Sequence, residues 1–396
     1  MNPKKKVADR FDWTLCLILF LFCLVSCAAI YSGQTTAQYP GNFVVQQVVY
    51  YIIGAGIIAG VMYFDTEQIR RITWILFGIG TALQAGLFIA PESIAYEVKG
   101  AKLWYNGIEG LPSIQPSEFF KVFLILALSK VIVDHTAKTA NKTLKTDFIL
   151  LIKLGLVTCV PLGLIIVEDL GTALVIIAIF TGIILVSGIS WKIIFPIYGF
   201  GAAFGGGILY LVIWAPEFLE KYFEIDAYKL GRIYAWLDPY THRQGDGLQL
   251  YNSLHAIGSG LLSGKGFTDR QVYIPDVHTD FIFSVIGEEY GFLGASLVIC
   301  LFFVLIYHLT RTALAVSDPF NTYVCVGVIS MITFHVFQNI GMTIQVLPIT
   351  GIPLPFISYG GSSLMGNMLA MGLIFSMRYH QRSYMFSDSS KYFRAS

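Results

Sequence analysis

The stretch YIPDVHTDFIFSVIGEEYG, Tyr273–Gly291, runs from a polar loop into a long apolar run and places three of its acids at or inside that run. Asp280 stands at the start of that run, and Glu288 and Glu289 lie inside it. A charged side chain at the centre of a bilayer costs roughly 2.5–3.5 kcal/mol on the most lenient insertion scale. A helix that served only as an anchor would not carry these acids, so we expect them to have another role.

The composition of the whole chain predicts an all-α polytopic membrane protein. Of its 396 residues, 55% are hydrophobic and only 13% are charged, whereas about a quarter of the residues in a soluble domain are charged. The net charge of +1 argues against a nucleic-acid partner. All six cysteines fall in apolar runs, so we interpret them as packing residues. No His, Asp or Glu cluster has the spacing of a metal site.

Ten apolar stretches are long enough to cross a bilayer, which takes about twenty residues. We predict a single transmembrane domain over residues 1–396, with a large loop at about 215–280 between the seventh and eighth spans. The first stretch is too long for the apolar part of a signal peptide. The predicted spans are 13–32, 43–64, 72–91, 117–135, 147–167, 170–188, 191–214, 281–307, 321–345 and 362–378.

Lysine and arginine in the short loops predict the orientation of these spans. One side of the membrane carries the basic N-terminus, the pair Arg70 and Arg71, and the basic C-terminal tail. The short loops on the other side carry little beyond Lys99 and Lys102. We therefore predict that both termini are cytoplasmic. The predicted extracytoplasmic segments are 33–42, 92–116, 215–280 and 346–361.

Two charged residues lie at the start of the fourth span, within the string Gln-Pro-Ser-Glu-Phe-Phe-Lys. Glu118 in the first turn is favoured by the helix dipole, which is a sufficient structural explanation for it. Lys121 lies three residues further on, and residues at that spacing share a helix face. We expect an ion pair between them that faces a water-filled cavity, in preference to a lysine that reaches out along the lipid.

The long loop has two halves of different character. Residues 216–240 mix apolar, aromatic and charged residues at helical spacing, which suits a helix lying in the membrane interface. The second half, LHAIGSGLLSGKGF, is rich in glycine and contains Lys265. Its backbone N–H groups could cradle a phosphate, or the run could be a flexible turn, and both interpretations stay open.

The segment LPITGIPLPFISYGGSS, Leu347–Ser363, cannot form a continuous helix because of its three prolines. Irregular backbone at membrane depth is tolerated only against protein or a water-filled cavity. We therefore expect this segment to line the same cavity as Asp280. A rigid hairpin at the surface is the alternative.

Five strings, taken together, resemble the SEDS family, the shape, elongation, division and sporulation proteins of bacterial cell-wall synthesis. The resemblance runs over essentially the whole chain, in the family's order and at its spacings. The short tails and the opening DRFDW…IYSG are more similar to the rod-shape branch, RodA, than to the division branch, and a division or sporulation member is the alternative. The strings are IQPSEFFK (114–121), EDLGTA (168–173), AIGSGLLSGKG (256–266), PDVHTDFIFSVIGEEYGFLG (275–294) and PITGIPLPFISYGGSS (348–363).

The resemblance implies a ten-helix peptidoglycan glycosyltransferase of the bacterial cytoplasmic membrane. Its substrate would be lipid II, the undecaprenyl-pyrophosphoryl disaccharide-pentapeptide, polymerised on the outer face of the membrane. Its implied partners are a class B penicillin-binding protein, which crosslinks the strands, and other membrane proteins of the elongation complex. No resident cofactor is implied. A divalent cation, if one is used, would be held mainly by the substrate pyrophosphate.

The resemblance also assigns roles to residues. The family's catalytic acid is the aspartate of the H-T-D-F string, which is Asp280 here. Trp104, Glu118 and Lys121 match further positions that are important in the family. Two departures are visible: Leu103 replaces an arginine that often precedes the tryptophan, which leaves the role of that arginine open, and the usual P-D-L-G-T-A begins with glutamate.

We expect Asp280 to act as a general base that takes the proton from the sugar 4-hydroxyl of the acceptor, with inversion at C1 of the donor. An aspartate before an apolar helix is also a good N-cap, and the two roles are compatible. Cationic residues should hold the pyrophosphate of the leaving group. The predicted substrate-binding residues are Trp104, Glu118, Lys121, Lys265, Arg270, Ser358, Tyr359 and Ser362.

Glu288 and Glu289 lie about 12 Å along the helix from Asp280, at 1.5 Å per residue. That distance excludes direct pairing with Asp280, so we expect at least one of them to be an internal support, bonded to another helix or to Lys121. For the other, a position facing a cavity on the cytoplasmic side is the alternative. The ends around Trp104–Lys121, Ala256–Arg270 and Pro353–Ser363 should converge on Asp280.

Two other functions are compatible with charged residues inside the membrane. A lipid II flippase or transporter would depend on a gradient and form no polymer. A non-catalytic scaffold for a penicillin-binding protein would tolerate changes at Asp280.

Overall fold

A computed structural model describes residues 10–34, 41–98, 101–106, 113–139, 141–166, 168–214, 227–245 and 247–380 of the chain. Over these ranges, ten long helices coincide with the ten predicted spans. Seven of them are long and apolar enough to cross a membrane, and Leu170–Val186 is apolar but shorter. The helices are α1 (Trp13–Gln34), α2 (Phe43–Met62), α3 (Thr66–Ile89), α4 (Pro116–Lys138), α5 (Leu144–Ile165), α6 (Leu170–Val186), α7 (Trp191–Trp214), α8 (Ala227–Leu237), α9 (Leu248–Ser259), α10 (Ile282–Ala315), α11 (Pro319–Thr343) and α12 (Gly361–His380).

The helices differ in how deeply they are buried. α4 and α12 bury most of their residues and form the centre of the bundle together with α11. α7 is almost entirely exposed, as expected of a helix surrounded by lipid. Cys159 and Cys300 are exposed on the outside of the bundle, so the prediction that all six cysteines are packing residues is wrong for these two.

Two features depart from the predicted elements. The third helix begins at Thr66, six residues before the predicted span, because Asp65 and Gln68 form a reciprocal capping box there. A short antiparallel hairpin, β1 (Ala95–Val98) and β2 (Ala101–Tyr105), is an exception to the all-α fold. Alternating side chains around a Lys-Gly pair are the signal that would have predicted this hairpin.

Part of the predicted interfacial helix is present as α8. The remainder of the prediction, residues 216–226, lies outside the described residues. Trp236 and Gln345 join α8 to the end of α11 by two reciprocal hydrogen bonds. The Trp236 Nε1 donates to the Gln345 carbonyl at 3.0 Å, and the Gln345 amide donates to the Trp236 carbonyl at 2.9 Å.

The predicted eighth span is not one straight helix. α10 is sharply bent at Gly291, which has φ 60° and ψ −156°. The bend separates a short buried helix, residues 282–290, from the long helix that continues to Ala315. A bend of this kind removes backbone hydrogen bonds from the helix, and in a membrane those groups need other partners.

The loop after α9 supplies these partners. The N–H groups of Phe292 and Leu293 donate to carbonyls of residues 261 and 262, at 2.9 and 3.1 Å. In return, the N–H groups of Lys265 and Gly266 donate to the carbonyls of residues 288 and 289, each at 3.0 Å. The loop backbone therefore docks into the break in α10.

The glycines of this loop allow the close approach. A Cβ at Gly260 would collide with the carbonyl oxygen of Gly287, and one at Gly264, where φ is +81°, would collide with that of Glu289. The hypothesis that these glycines form a phosphate cradle is wrong, because the N–H groups at positions 264, 265 and 266 are already bonded to protein carbonyls.

We predict that Gly264→Ala lowers the stability of the fold. The new Cβ collides with backbone that has little freedom to move, and overpacking of this kind costs about 1–3 kcal/mol. The measurement is the thermal unfolding midpoint of the purified chain in detergent. Gly258→Ala is the matched control, since a Cβ there meets nothing within 4 Å. Equal midpoints for the two variants would contradict the docking account.

Candidate active site

Asp280 lies at the junction between the docked loop and α10. The N-cap of α10 is Phe281, so Asp280 precedes the cap position by one residue and the predicted N-cap role is wrong. Its Oδ1 accepts a hydrogen bond from the Thr279 hydroxyl at 2.9 Å. The residue is half-buried, which leaves part of it accessible to water or substrate.

The proline-rich segment lies against the Asp280 loop, as predicted. Gly351 is exposed and has φ +71°, and a Cβ built on it would stand 3.8 Å from Asp280 Oδ2. The N–H of Tyr359 donates to the His278 carbonyl at 2.9 Å. One face of the Asp280 carboxyl group is therefore lined by irregular backbone without a side chain.

Aromatic rings lie around the hydrogen bond between Tyr359 and His278. The His278 ring stacks on Phe43 with 4.5 Å between centroids, and the Tyr359 ring stands 4.9 Å from Phe43. The Tyr359 hydroxyl bonds to Gln46 of α2. Burial lowers the pKa of His278, and Asp276 opposes this, so the ring is predominantly neutral at pH 7.

The two serines predicted to bind substrate form hydrogen bonds with backbone groups of the protein. Ser358 Oγ accepts from the N–H of Leu354 at 2.8 Å. Ser362 Oγ accepts from the N–H of Gln115 at 2.9 Å and donates to the Ser113 carbonyl at 3.1 Å. Ser362 thus joins the start of α12 to the string before α4. Contact of either hydroxyl with substrate stays a prediction.

The predicted Glu118–Lys121 ion pair is present, with 2.9 Å between Lys121 Nζ and Glu118 Oε1. We predicted that the pair faces a water-filled cavity, but the Glu118 and Lys121 side chains are only 5% and 2% exposed. Lys121 Nζ also lies 3.1 Å from Nε2 of His335, whose Nδ1 lies 3.4 Å from the Pro353 carbonyl. Lysine has only donors, so we assign the His335 proton to Nδ1.

Lys265 and Arg270 both pair with Glu288. The Lys265 Nζ–Glu288 Oε1 distance is 2.8 Å, and the Arg270 Nε–Glu288 Oε2 distance is 3.7 Å. The N–H groups of Gln271 and Val272 donate to the same carboxylate at 2.8 and 3.1 Å. Burial lowers the pKa of Arg270, and Glu288 and Glu289 oppose this effect.

These contacts make Glu288 an internal support, with Lys265 as its partner in place of Lys121. Glu289 supports the same loop. It accepts from the Ser32 hydroxyl of α1 and from the N–H of Thr268 at 3.3 Å. The acids therefore tie the docked loop to α10 and α1.

Trp104 is half-buried in β2, where it pairs with Tyr96. Backbone groups of the hairpin form hydrogen bonds with the segments before α6 and before α4. The Lys102 N–H donates to Glu168 at 3.2 Å, and Tyr105 exchanges hydrogen bonds with Ile114. The Gln115 amide in turn donates to Asp169 at 3.4 Å.

The predicted convergence on Asp280 is only partly correct. The proline-rich segment contacts the Asp280 loop and, through Ser362, the string before α4. The segment around Lys265 and Arg270 instead binds the far end of the short helix 282–290, through Glu288. The reason is the bend at Gly291, which no local pattern in the sequence announces.

Three polar residues of α11 were missing from the predicted site. His335, Gln338 and Asn339 face the proline-rich segment from a helix that is otherwise largely apolar. Their spacing of three and four residues places them on one helix face. Polar residues on one face of an apolar span are the signal that would have found them.

Over the described ranges of the chain, no group of three or more His, Cys, Asp or Glu side chains could hold a metal ion. A divalent cation held mainly by the substrate pyrophosphate stays a prediction.

We predict that Glu288→Ala destabilises the fold strongly, because Lys265 and Arg270 would remain buried without their partner. Breaking a buried pair in this way costs about 3–5 kcal/mol. Glu67→Ala is the control, since Glu67 and its partner Arg71 are each 75% exposed and surface pairs contribute about 0–1 kcal/mol. Thermal unfolding in detergent measures both. A midpoint unchanged by Glu288→Ala would refute the supporting role.

The chain is similar to proteins of bacterial cell growth and division. A family model named FtsW/RodA/SpoVE and described as a cell cycle protein matches residues 9–383. Stage V sporulation protein E of Bacillus subtilis (strain 168) is 31% identical over 392 residues, covering 96% of this chain and 100% of that protein. A probable peptidoglycan glycosyltransferase FtsW of the same organism is 32% identical, covering 93% and 91%.

Solved structures share the fold. A chain from a structure described as "Structural coordination of polymerization and crosslinking by a peptidoglycan synthase complex" has a TM-score of 0.72 at 25% identity, covering 94% of this chain and 99% of that one. The rod shape determining protein RodA of Thermus thermophilus has a TM-score of 0.65 at 24% identity, covering 94% and 98%. Assignment to the RodA branch stays a prediction. The family model and the relatives above 30% identity show that this multi-pass membrane protein belongs to the FtsW/RodA/SpoVE family, the SEDS family that its motifs resemble.

Proposed function

We propose that this peptidoglycan glycosyltransferase polymerises lipid II into glycan strands, with Asp280 as the general base. The observation that carries the proposal is the position of Asp280. It is a half-buried acid at the start of the apolar run, next to the exposed Gly351, whereas Glu288 and Glu289 inside that run are buried and bonded to the docked loop. The relatives named as probable glycosyltransferases support the reaction class.

In the proposed reaction, the 4-hydroxyl of the acceptor sugar attacks C1 of the donor. Asp280 takes the hydroxyl proton as the new C1–O bond forms. The bond between C1 and the pyrophosphate oxygen breaks, and its electron pair leaves with undecaprenyl pyrophosphate. Attack opposite the leaving group inverts C1. General-base catalysis of this kind contributes typically about 10²–10⁴-fold to the rate.

The residues around Asp280 suit this task. The single Thr279 hydroxyl hydrogen is shared between Oδ1 at 2.9 Å and the Asp276 carbonyl at 2.7 Å, so the hydroxyl ties the carboxyl group to the loop backbone. Oδ2 stands beside Gly351, where the absence of a side chain keeps the approach of a sugar hydroxyl open. The clustered rings of Phe43, His278 and Tyr359 provide an apolar surface of the kind on which sugar rings pack.

The pyrophosphate needs cationic partners, and the predicted ones are Lys121, Lys265 and Arg270. Each of them pairs with a glutamate in the structure. Lys265 is the most accessible of the three, with 16% of its side chain exposed. Binding of pyrophosphate by any of them would therefore compete with an existing ion pair.

The partner and cellular role follow from the comparisons as proposals. A chain of similar fold was solved within a complex that combines polymerisation and crosslinking. We infer that this chain likewise acts with a class B penicillin-binding protein, and its resemblance to the RodA branch favours a role in cell elongation.

We predict that Asp280→Ala abolishes glycan synthesis from lipid II, with a loss of at least about 100-fold because the base is gone. The assay uses the purified full-length chain in liposomes and separates glycan strands by gel electrophoresis. Asp276→Asn is the control, since Asp276 lies in the same loop at φ +52°, a conformation that asparagine tolerates. We expect it to keep activity within about fivefold.

Each other result of this assay contradicts the proposal. Glycan synthesis retained by Asp280→Ala would exclude the base. Polymer absent from the wild type, with lipid II moved across the bilayer, would indicate a flippase. Polymer absent without such movement would indicate a scaffold.

We also predict that both termini lie in the cytoplasm and that Asp280 faces the extracytoplasmic side. The supporting observation is the excess of lysine and arginine in the loops of one side. A reporter that is active only in the cytoplasm should be active when fused after Ser396 and inactive when inserted near Gly245. The opposite pattern would reverse the topology.

A further inference from the structure

One amide group of α11 holds both backbone segments that flank the Asp280 carboxyl group. Asn339 is fully buried, and its Nδ2 donates to the carbonyl of Asp280 at 2.7 Å and to that of Ile352 at 2.8 Å. Asp280 and Ile352 lie far apart in the chain, so no local turn sets the spacing between them. The two hydrogens of a single nitrogen bring them together.

The two acceptors define the space beside the carboxyl group. One belongs to Asp280 itself, so the bond fixes the backbone from which the carboxyl group extends. The other acceptor is the carbonyl of Ile352, the residue after Gly351. Gly351 is the residue that lies next to Oδ2 of Asp280. A shift in either segment changes the gap in which a sugar hydroxyl would sit.

The neighbours of Asn339 on the same helix face hold the same segment. The Gln338 amide donates to the Pro348 carbonyl at 2.9 Å, and His335 Nδ1 reaches the Pro353 carbonyl at 3.4 Å. His335 also connects this face to Lys121 and, through it, to Glu118. Polar side chains are costly inside a membrane helix. On α11 they donate hydrogen bonds to carbonyls of the proline-rich segment, whose irregular backbone leaves these carbonyls without helical partners.

We propose that Asn339 is a positioning residue for Asp280 in the glycosyl transfer reaction. Its amide sets the distance between the carboxyl group and the Gly351–Ile352 backbone, and thereby the place where the acceptor hydroxyl meets the base. The inference rests on the proposed function and adds to it a residue that touches neither substrate nor reacting atoms. Misplacement of a reacting group by 1 Å can cost about 10²-fold in rate.

The test replaces Asn339 by leucine, which has a similar size and no donor. With the full-length chain in liposomes, we expect kcat for lipid II polymerisation to fall at least about 100-fold. We expect KM for lipid II to change less than about threefold, because the amide does not contact substrate. Asn321→Leu is the matched control. It makes the same substitution at a buried asparagine of the same helix, whose amide donates to the Thr66 hydroxyl of α3 at 3.0 Å and not to the proline-rich segment, and it should keep kcat within about fivefold.

A second measurement does not depend on activity. Hydrogen–deuterium exchange reports the backbone N–H groups of Ile357, Ser358 and Tyr359, all of which are hydrogen-bonded in the structure. Loss of the Asn339 hydrogen bonds should speed the exchange of these N–H groups at least about tenfold in Asn339→Leu, whereas Asn321→Leu should leave it unchanged. Asp280→Ala should keep the slow exchange, because the Asn339 bonds go to backbone carbonyls.

The two measurements separate failure of the inference from failure of the proposed function. A wild-type chain that makes no glycan refutes the proposed function, while the exchange experiment still tests whether Asn339 holds the segments. The positioning role is overturned by a wild-type kcat in Asn339→Leu, by an equal loss in Asn321→Leu, by a change confined to KM, or by unchanged exchange.

Discussion

The arrangement around Asp280 depends on how the break in α10 at Gly291 is satisfied. Backbone N–H and C=O groups cannot remain unpaired in hydrocarbon, so a bent membrane helix needs partners from elsewhere in the protein. The glycine-rich loop supplies them, with four hydrogen bonds between residues 261–266 and residues 288–293. The short helix 282–290 is thereby held at its far end, and Asp280 stands at its near end.

The same constraint separates Asp280 from Glu288 and Glu289. Glu288 and Glu289 are buried because the docked loop brings donors to them: Lys265, the N–H groups after Arg270, and Thr268. They stabilise the loop at a position where an unpaired carboxylate would be very costly. Asp280, at the start of the apolar run, stays half-buried. The supporting acids and the proposed base are therefore parts of one structure with different tasks.

On the opposite side of Asp280, the proline-rich segment is irregular backbone that α11 makes rigid. Its carbonyls at Pro348, Ile352 and Pro353 accept from side chains of one face of α11. Rigid backbone next to an accessible carboxylate is what a positioned general base needs, because small displacements of reacting groups reduce the rate steeply. The buried Glu118–Lys121 pair adjoins this face through His335.

The sequence by itself determined the ten helices, because each membrane helix satisfies its own backbone and so needs only a local run of apolar residues. Its motifs also determined the family and singled out Asp280, and the spacing of Glu118 and Lys121 predicted their ion pair. Only the tertiary structure decided the bend at Gly291, the partner of Glu288 and the task of the glycine-rich loop. That loop is compatible with a phosphate cradle, a flexible turn or close backbone packing, and only the carbonyls of residues 287–289, brought to it by folding, select the last.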